Sequence, residues 1–223
     1  MTVLRCANLI KAVFFDVGYT LVDETRQWRA WAEHIAVPYE KFDATLREVI
    51  ARNEHHTRVF EILKPGFDLK RERAVRAAAG SVDTFTAADL YDDAVPCLSE
   101  LKRLGYLIGL AGNQPETAEA ALHAMNVPAD IIASSARWAV EKPSPAFFTR
   151  VATEAKCSAA EIAYVGDRID NDVIPARDAG MKAIFLNRGL WGEEHAKRPE
   201  ADLAHAKLTS LDDLPNVLKK LSV

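Results

Sequence analysis

A carboxylate at the end of an apolar segment is the first candidate for chemistry in this chain. Asp16 is the first polar side chain after the apolar residues 12–15. That run is too short for a helix and apolar on both faces, which is typical of a strand buried between two helical layers. Ligands of an open parallel sheet bind at the carboxyl ends of its strands, so we expect Asp16 to face a crevice. Taken alone, the segment favours a turn carboxylate before Gly18 instead.

A second acidic cluster follows a later apolar run. Asp167, Asp170 and Asp172 fall within six positions, and Gly166 before them indicates close backbone approach around a site. Oxygen ligands from Asp16 and Asp167 suit Mg²⁺ better than zinc. We expect Asp172 either to bind this metal or to anchor the loop, and Asp170 to face solvent.

Lys142 lies in the sequence between Asp16 and the acidic cluster at 167–172, in a segment whose backbone is made rigid by prolines. Lys142 is followed by Pro143 and Pro145, which fix the local backbone angles. An ordinary surface lysine needs no such setting. We therefore expect the Lys142 ammonium group to be directed at the carboxylates and at an anionic substrate.

The elements that would position these residues alternate between strand and helix. Short apolar runs recur at 10–15, 106–111, 131–133, 162–165 and 183–186. Segments with helical character separate the later runs, at 115–125, 145–155 and 174–179. This alternation predicts an α/β fold with a parallel sheet flanked by helices.

Residues 22–92 interrupt the alternation directly after the first strand. They contain no convincing strand pattern, and their apolar residues recur at helical spacing. Pro38 and residues 64–66, Lys-Pro-Gly, mark breaks between helices. The segment predicts an inserted helical bundle over the crevice, with Trp28 and Trp31 in its core rather than stacked on a ligand.

Composition excludes several classes of function. The 223 residues are 49% hydrophobic, enough for a core and an inserted domain, and the net charge of -4 gives no indication of nucleic-acid or membrane binding. No run approaches the roughly 20 apolar residues of a membrane span, and the N-terminus lacks a signal-peptide pattern. We expect a cytoplasmic protein.

Four segments together resemble the ordered motifs of the haloacid dehalogenase-like hydrolase superfamily, in its helical-cap subfamily. They are Phe-Phe-Asp-Val-Gly-Tyr-Thr (14–20), Leu-Ala-Gly-Asn (110–113), Glu-Lys-Pro-Ser-Pro (141–145) and Val-Gly-Asp-Arg-Ile-Asp-Asn-Asp (165–172). Their order and spacing cover almost the whole chain. The resemblance implies a Rossmann-like core formed by residues 1–21 and 93–223, with residues 22–92 as a helical cap over the active site.

The resemblance also implies roles for individual residues. Asp16 would be the nucleophile that takes up the phosphoryl group as an aspartyl-phosphate. Mg²⁺ would be bound by Asp16, Asp167 and the backbone carbonyl of Gly18. Lys142 would balance charge on the nucleophile and the phosphate, and Thr20 would support the first loop.

Two positions depart from the family pattern. Phosphatases of this family carry a second Asp, the general acid and base, where this chain has Gly18. Such a group contributes about 10²–10⁴-fold, so we expect weak alkyl phosphate hydrolysis that Gly18→Asp would raise. Gly112 stands where a Ser or Thr would bind the phosphoryl group, and the backbone N–H of Gly112 or Asn113 is expected to bind an oxyanion in its place.

The predicted function is therefore a Mg²⁺-dependent phosphatase for a small phosphorylated metabolite, restricted to good leaving groups or assisted by a substitute acid. Candidates for that acid are Glu24, His34, Glu54, His55, His56 and Tyr19. For each of them, an exposed helix-surface position is the stronger expectation.

Three alternatives stay open at this point. Dehalogenases of the family also lack the second Asp, although their pattern places Tyr and then Gly after the nucleophile, the reverse of Gly18 and Tyr19. A phosphonatase would need a cap lysine, and neither Lys41 nor Lys64 has a context that supports this role. The third alternative is a phosphate-binding or interaction protein that kept the fold and lost turnover.

Overall fold

The computed structural model describes residues 9–81 and 84–222. Its strands are β1 (Ala12–Phe15), β2 (Leu107–Gly112), β3 (Ile131–Ser134), β4 (Ile162–Gly166), β5 (Lys182–Leu186) and β6 (Ala206–Leu208). Its α-helices are α1 (Thr25–His34), α2 (Tyr39–Ala51), α3 (Arg58–Leu63), α4 (Leu69–Ala78), α5 (Ala94–Arg103), α6 (Glu116–Ala124), α7 (Ser135–Trp138), α8 (Pro145–Ala155), α9 (Ile174–Asp178), α10 (Gly189–His195) and α11 (Leu214–Leu221). A single π-helical turn among these residues covers Ile169–Val173.

The described residues form one parallel sheet with the strand order β3-β2-β1-β4-β5-β6. This confirms the α/β, Rossmann-like fold and the five strands that the apolar runs predict. Both faces of β1 are fully buried, because helices cover the sheet on each side. The short edge strand β6 was not predicted, since its three residues, Ala-Lys-Leu, form no apolar run.

The register of the central strands brings the candidate residues to one edge of the sheet. Phe15 of β1 pairs with Leu110 of β2 on one side and with Val165 of β4 on the other. The strand order reverses at β1, and the residues that follow β1, β2 and β4 meet there. This is the position at which open parallel sheets bind their ligands.

Helices α1–α4 pack around an apolar cluster that also includes Tyr19 and two residues of α10, Leu190 and Trp191. Phe42, Leu46 and Ile50 are buried in it, together with Trp31, which is 4% exposed as expected for a core residue. Both predicted breaks are confirmed: α1 and α2 are separate helices on either side of Pro38, and α3 ends before residues 64–66.

Residues 1–8 of the predicted core segment 1–21, and residues 82–83 of the predicted cap, lie outside the described residues. Within the described ranges, no helix has both the length and the hydropathy of a membrane span.

Candidate active site

Lys142 lies between two carboxylates at the centre of the site. Its Nζ donates to Asp16 Oδ1 at 2.5 Å and to Asp172 Oδ1 at 2.6 Å, and its side chain is 1% exposed. Burial alone would lower the pKa of Lys142, but the two carboxylates outweigh it and raise that pKa well above its ordinary value. The side chain is therefore a fixed positive charge beside Asp16.

Asn113 holds the backbone of Lys142. Its Nδ2 donates to the Lys142 carbonyl, and its Oδ1 accepts from the Lys142 N–H, both at 2.8 Å. The predicted substrate-binding residue thus uses its side-chain amide to position the lysine. Oxyanion binding by the backbone N–H of Gly112 or Asn113, at the end of β2, stays a prediction.

Gly112 leaves room for the carboxylate of Asp16. A Cβ atom at position 112 would lie 2.6 Å from Asp16 Oδ1, closer than non-bonded atoms approach. A Ser or Thr there would push Asp16 away from Lys142. With Asp16 in this position, glycine at 112 avoids that contact.

Asp172 anchors both Lys142 and its own loop. Its Oδ1 accepts from Lys142, and its Oδ2 accepts from the Arg168 N–H at 3.0 Å. Gly166 makes this possible, because a Cβ there would lie 2.6 Å from the Cβ of Asp172. Burial raises the pKa of Asp172 to about 6, although Lys142 opposes the shift. Since both oxygens are engaged, the geometry favours anchoring, and metal binding by Asp172 stays a prediction.

Asp167 directs an unpartnered oxygen toward the same space. The residue is 1% exposed, and no described group donates a hydrogen bond to its Oδ2. Carboxylate oxygens of Asp16, Asp167 and Asp172 all lie within 4.8 Å of one another. Burial and the charges of the other two raise the pKa of Asp167 well above its ordinary value. This donor set fits a hard divalent cation such as Mg²⁺, which would offset the repulsion among the carboxylates.

The loop after β1 carries two further predicted residues, Gly18 and Thr20. The loop is closed by the Tyr19 N–H, which donates to the Val22 carbonyl at 2.7 Å. Thr20 is fully buried; its Oγ1 has no hydrogen-bond partner among the described residues, and its carbonyl accepts from Arg188 at 3.2 Å. The supporting role of Thr20 and metal binding by the Gly18 carbonyl stay predictions.

Glu24 occupies the space beside Gly18 where a side chain is missing. A Cβ at position 18 would overlap Glu24 Oε1 and lie 3.0 Å from Glu24 Cδ. Glu24 immediately precedes α1, and its carbonyl accepts from the Trp28 N–H at 3.1 Å. Burial, together with the charges of Asp16 and Asp23, raises the pKa of Glu24 to about 7. The expectation of an exposed helix surface is therefore wrong for Glu24.

A cavity of about 480 Å³ lies between Asp16 and Asp167 on one side and helices α1, α3 and α4 on the other. This volume is in the range of small-molecule sites. Residues from both sides line it, among them Asp16, Gly18, Asn113, Lys142 and Asp167 from the core, and Glu24, Trp28, Trp31, His56 and Arg73 from the inserted segment. Asp16 and Asp167 thus face the same cavity, whereas Asp172 is not among its lining residues.

His195 is a supporting residue that sequence reasoning missed. It is fully buried, and its Nδ1 accepts from the Ile169 N–H at 2.9 Å, in the π-helical turn that carries Asp172. Burial lowers the pKa of His195 to about 4, so the ring is neutral at physiological pH and can accept this hydrogen bond. No sequence motif indicates a role for His195, because only the packing of α10 places it beside the turn.

This chain resembles known hydrolases both in sequence and in structure. The sequence profile of the haloacid dehalogenase-like hydrolases matches residues 10–180. A glyceraldehyde 3-phosphate phosphatase of Methanopyrus kandleri is 28% identical over 235 residues, and the match covers 96% of this chain and 99% of the relative.

Solved structures share the fold at lower identity. The magnesium-bound hydrolase YfnB of Bacillus subtilis is 17% identical, with a TM-score of 0.69 and coverage of 94% of this chain and 99% of that one. A 2-haloacid dehalogenase of Pseudomonas syringae is 22% identical, with a TM-score of 0.58 and coverage of 95% and 99%. Because phosphatases and dehalogenases share this fold, the fold does not choose between them.

Proposed function

Because the chain belongs to the haloacid dehalogenase-like hydrolases, we propose that it is a phosphatase with Asp16 as its nucleophile. One observation carries the proposal: Lys142 joins Asp16 to Asp172 within hydrogen-bond distance, beside the unpartnered carboxylate of Asp167. A buried carboxylate that must attack a phosphate needs fixed positive charge nearby, and Lys142 supplies it.

In the proposed reaction, Asp16 works in two steps. Lys142 holds Oδ1 of Asp16, which leaves Oδ2 to attack phosphorus. The bond from phosphorus to the leaving oxygen breaks, and an aspartyl-phosphate remains on Asp16. Water then attacks phosphorus, the bond to Asp16 breaks, and phosphate leaves. Lys142 stays protonated throughout and balances the charge of the phosphoryl oxygens.

We propose that Asp16 and Asp167, with the Gly18 carbonyl, hold Mg²⁺ beside the phosphate. The ion would supply charge neutralisation for the phosphoryl oxygens. The unpartnered Oδ2 of Asp167 and the short separation of the carboxylates support this proposal. The Bacillus subtilis hydrolase of the same fold was solved bound to magnesium.

We propose a small phosphorylated metabolite as the substrate, with residues 22–92 as the cap that selects it. The cavity of about 480 Å³ can hold a phosphate ester of a few carbon atoms, and residues of helices α1, α3 and α4 line its outer side. The relatives from Methanopyrus kandleri and Methanothermobacter thermautotrophicus are named glyceraldehyde 3-phosphate phosphatase, so this compound is the first one to test.

The experiment measures phosphate release from glyceraldehyde 3-phosphate and 4-nitrophenyl phosphate, with Mg²⁺ and with EDTA. We expect turnover only with Mg²⁺ and its loss in Asp16→Asn. Asp170→Asn is the matched control, because Asp170 lies on the same loop as Asp172 but is half exposed. Undiminished activity in Asp16→Asn, or activity in EDTA, would contradict the assignment. Chloride release from 2-chloropropionate in EDTA, without phosphate release, would support the dehalogenase alternative instead.

A further inference from the structure

The phosphatase reaction needs a proton donor that the first loop does not provide. An alkoxide leaves phosphorus slowly unless a proton reaches its oxygen, and the attacking water must lose a proton in the second step. Gly18 has no side chain to perform either task. The donor must therefore come from another element that reaches the space beside Asp16.

The carboxyl group of Glu24 fills that space. An ideal Cβ at position 18 would fall onto Glu24 Oε1, so Glu24 places its carboxyl where a side chain of residue 18 would begin. The position is set by the start of α1, where the Glu24 carbonyl accepts from the N–H groups of Gln27 and Trp28 at 3.0 and 3.1 Å. Glu24 lines the same cavity as Asp16 and Lys142.

Other ionisable groups of the cavity suit the role less well. Lys142 is held by two carboxylates and carries the charge that the phosphate needs. The His56 ring contacts the rings of Trp28 and Trp191, and burial lowers its pKa to about 3, so it is not an imidazolium acid at neutral pH. The Tyr19 ring is held against Gly189, where a Cβ would lie 2.6 Å from its Cγ.

We propose that Glu24 is the proton-transfer residue of this active site, a role that rests on the phosphatase function proposed above. As Asp16 Oδ2 bonds to phosphorus, the ester bond breaks and the Glu24 carboxyl gives its proton to the leaving oxygen. The resulting Glu24 carboxylate takes a proton from the water that attacks the aspartyl-phosphate. The bond between Asp16 and phosphorus then breaks, and both side chains return to their starting states.

The test compares two aryl phosphates that differ in their need for a proton. Phenyl phosphate has a poor leaving group, whereas 4-nitrophenyl phosphate has a good one. We measure kcat/KM, which reports the first step alone. In Glu24→Gln, we expect kcat/KM to fall about 100-fold for phenyl phosphate and only a few-fold for 4-nitrophenyl phosphate. The matched control is Glu33→Gln, an exposed position on α1, which should change neither value.

A second pair of variants tests the position directly. The sequence alone predicts a gain for Gly18→Asp, but the structure reverses this expectation: the single variant should lower the turnover of phenyl phosphate, because its Cβ meets the Glu24 carboxyl. Gly18→Asp combined with Glu24→Ala should recover at least tenfold over Glu24→Ala alone. Equal losses on both substrates in Glu24→Gln, or no loss at all, would overturn the role of Glu24 while the phosphatase function stands. A wild-type protein that releases phosphate from neither substrate would overturn both.

Discussion

Replacing Lys142 with methionine removes the charge between Asp16 and Asp172 while keeping an apolar side chain of similar length. Two carboxylate oxygens no more than 4.8 Å apart repel each other by at least about 3 kcal/mol at an effective dielectric constant near 20. The removal of one partner from a buried ion pair typically costs about 3–5 kcal/mol. Since the Lys142 and Asp172 side chains are both 1% exposed, we expect a loss in this range in the free energy of unfolding.

The measurement is urea unfolding followed by circular dichroism at pH 7, with EDTA present so that no metal replaces the lost charge. Lys11→Met is the matched control. Lys11 pairs with Glu161 at 2.5 Å, the same distance as Lys142 to Asp16, but its side chain is 56% exposed. Solvent screens such a pair, so the control should not differ measurably from the wild type.

The Lys11 and Lys142 ion pairs have the same length and differ in burial, so the difference between the two variants measures the effect of burial. For a chain of this length, the expected loss corresponds to a melting temperature lower by about 6–20 °C. A loss below about 1 kcal/mol in Lys142→Met, or equal losses in both variants, would refute the reasoning that Lys142 is needed to hold the carboxylates together.

Three further predictions follow from contacts of the same site. Gly112→Ser should lower kcat for 4-nitrophenyl phosphate by about 10–100-fold, because its Cβ would displace Asp16; an unchanged kcat would contradict this. His195 should account for a loss of roughly 3 kcal/mol of unfolding free energy as the pH falls from 6.5 to 4, because its pKa is about 4 when folded and 6.5 when unfolded. Its contribution is complete above pH 6.5, so this part of the pH dependence should be missing from His195→Asn in urea unfolding across that range. Saturating Mg²⁺ should raise the melting temperature of the wild type, with a stabilisation of about 2.7 kcal/mol at 100 times Kd. Asp167→Asn should abolish this rise, and a retained rise would place the metal elsewhere.

Much of the fold could be predicted because strand and helix periods are local properties. Runs such as 12–15 and 162–165 are apolar on both faces because helices cover both sides of the sheet. Their order along the chain also indicates which polar residues meet at the sheet edge. Strand β6 could not be predicted from the sequence, because an edge strand needs few apolar residues.

The candidate site likewise contains some features that could be predicted from the sequence and others that could not. The convergence of Asp16, Lys142, Asp167 and Asp172 could be predicted, since each follows or precedes a recognisable strand. The two hydrogen bonds between the Asn113 side chain and the Lys142 backbone could not be predicted, because they depend on how two loops pack against each other.

The order of the amino acids alone shows which strand ends carry carboxylates, where the lysine lies and that position 18 lacks an acid. Which group lies beside position 18 depends on the packing of the folded chain. Glu24 reaches Gly18 because α1 starts at a particular angle to the loop after β1, and the steric need for glycine at 112 depends on one rotamer of Asp16. Hydrophobic periodicity specifies which face of an element is buried, whereas contacts of this kind depend on how the elements pack against each other.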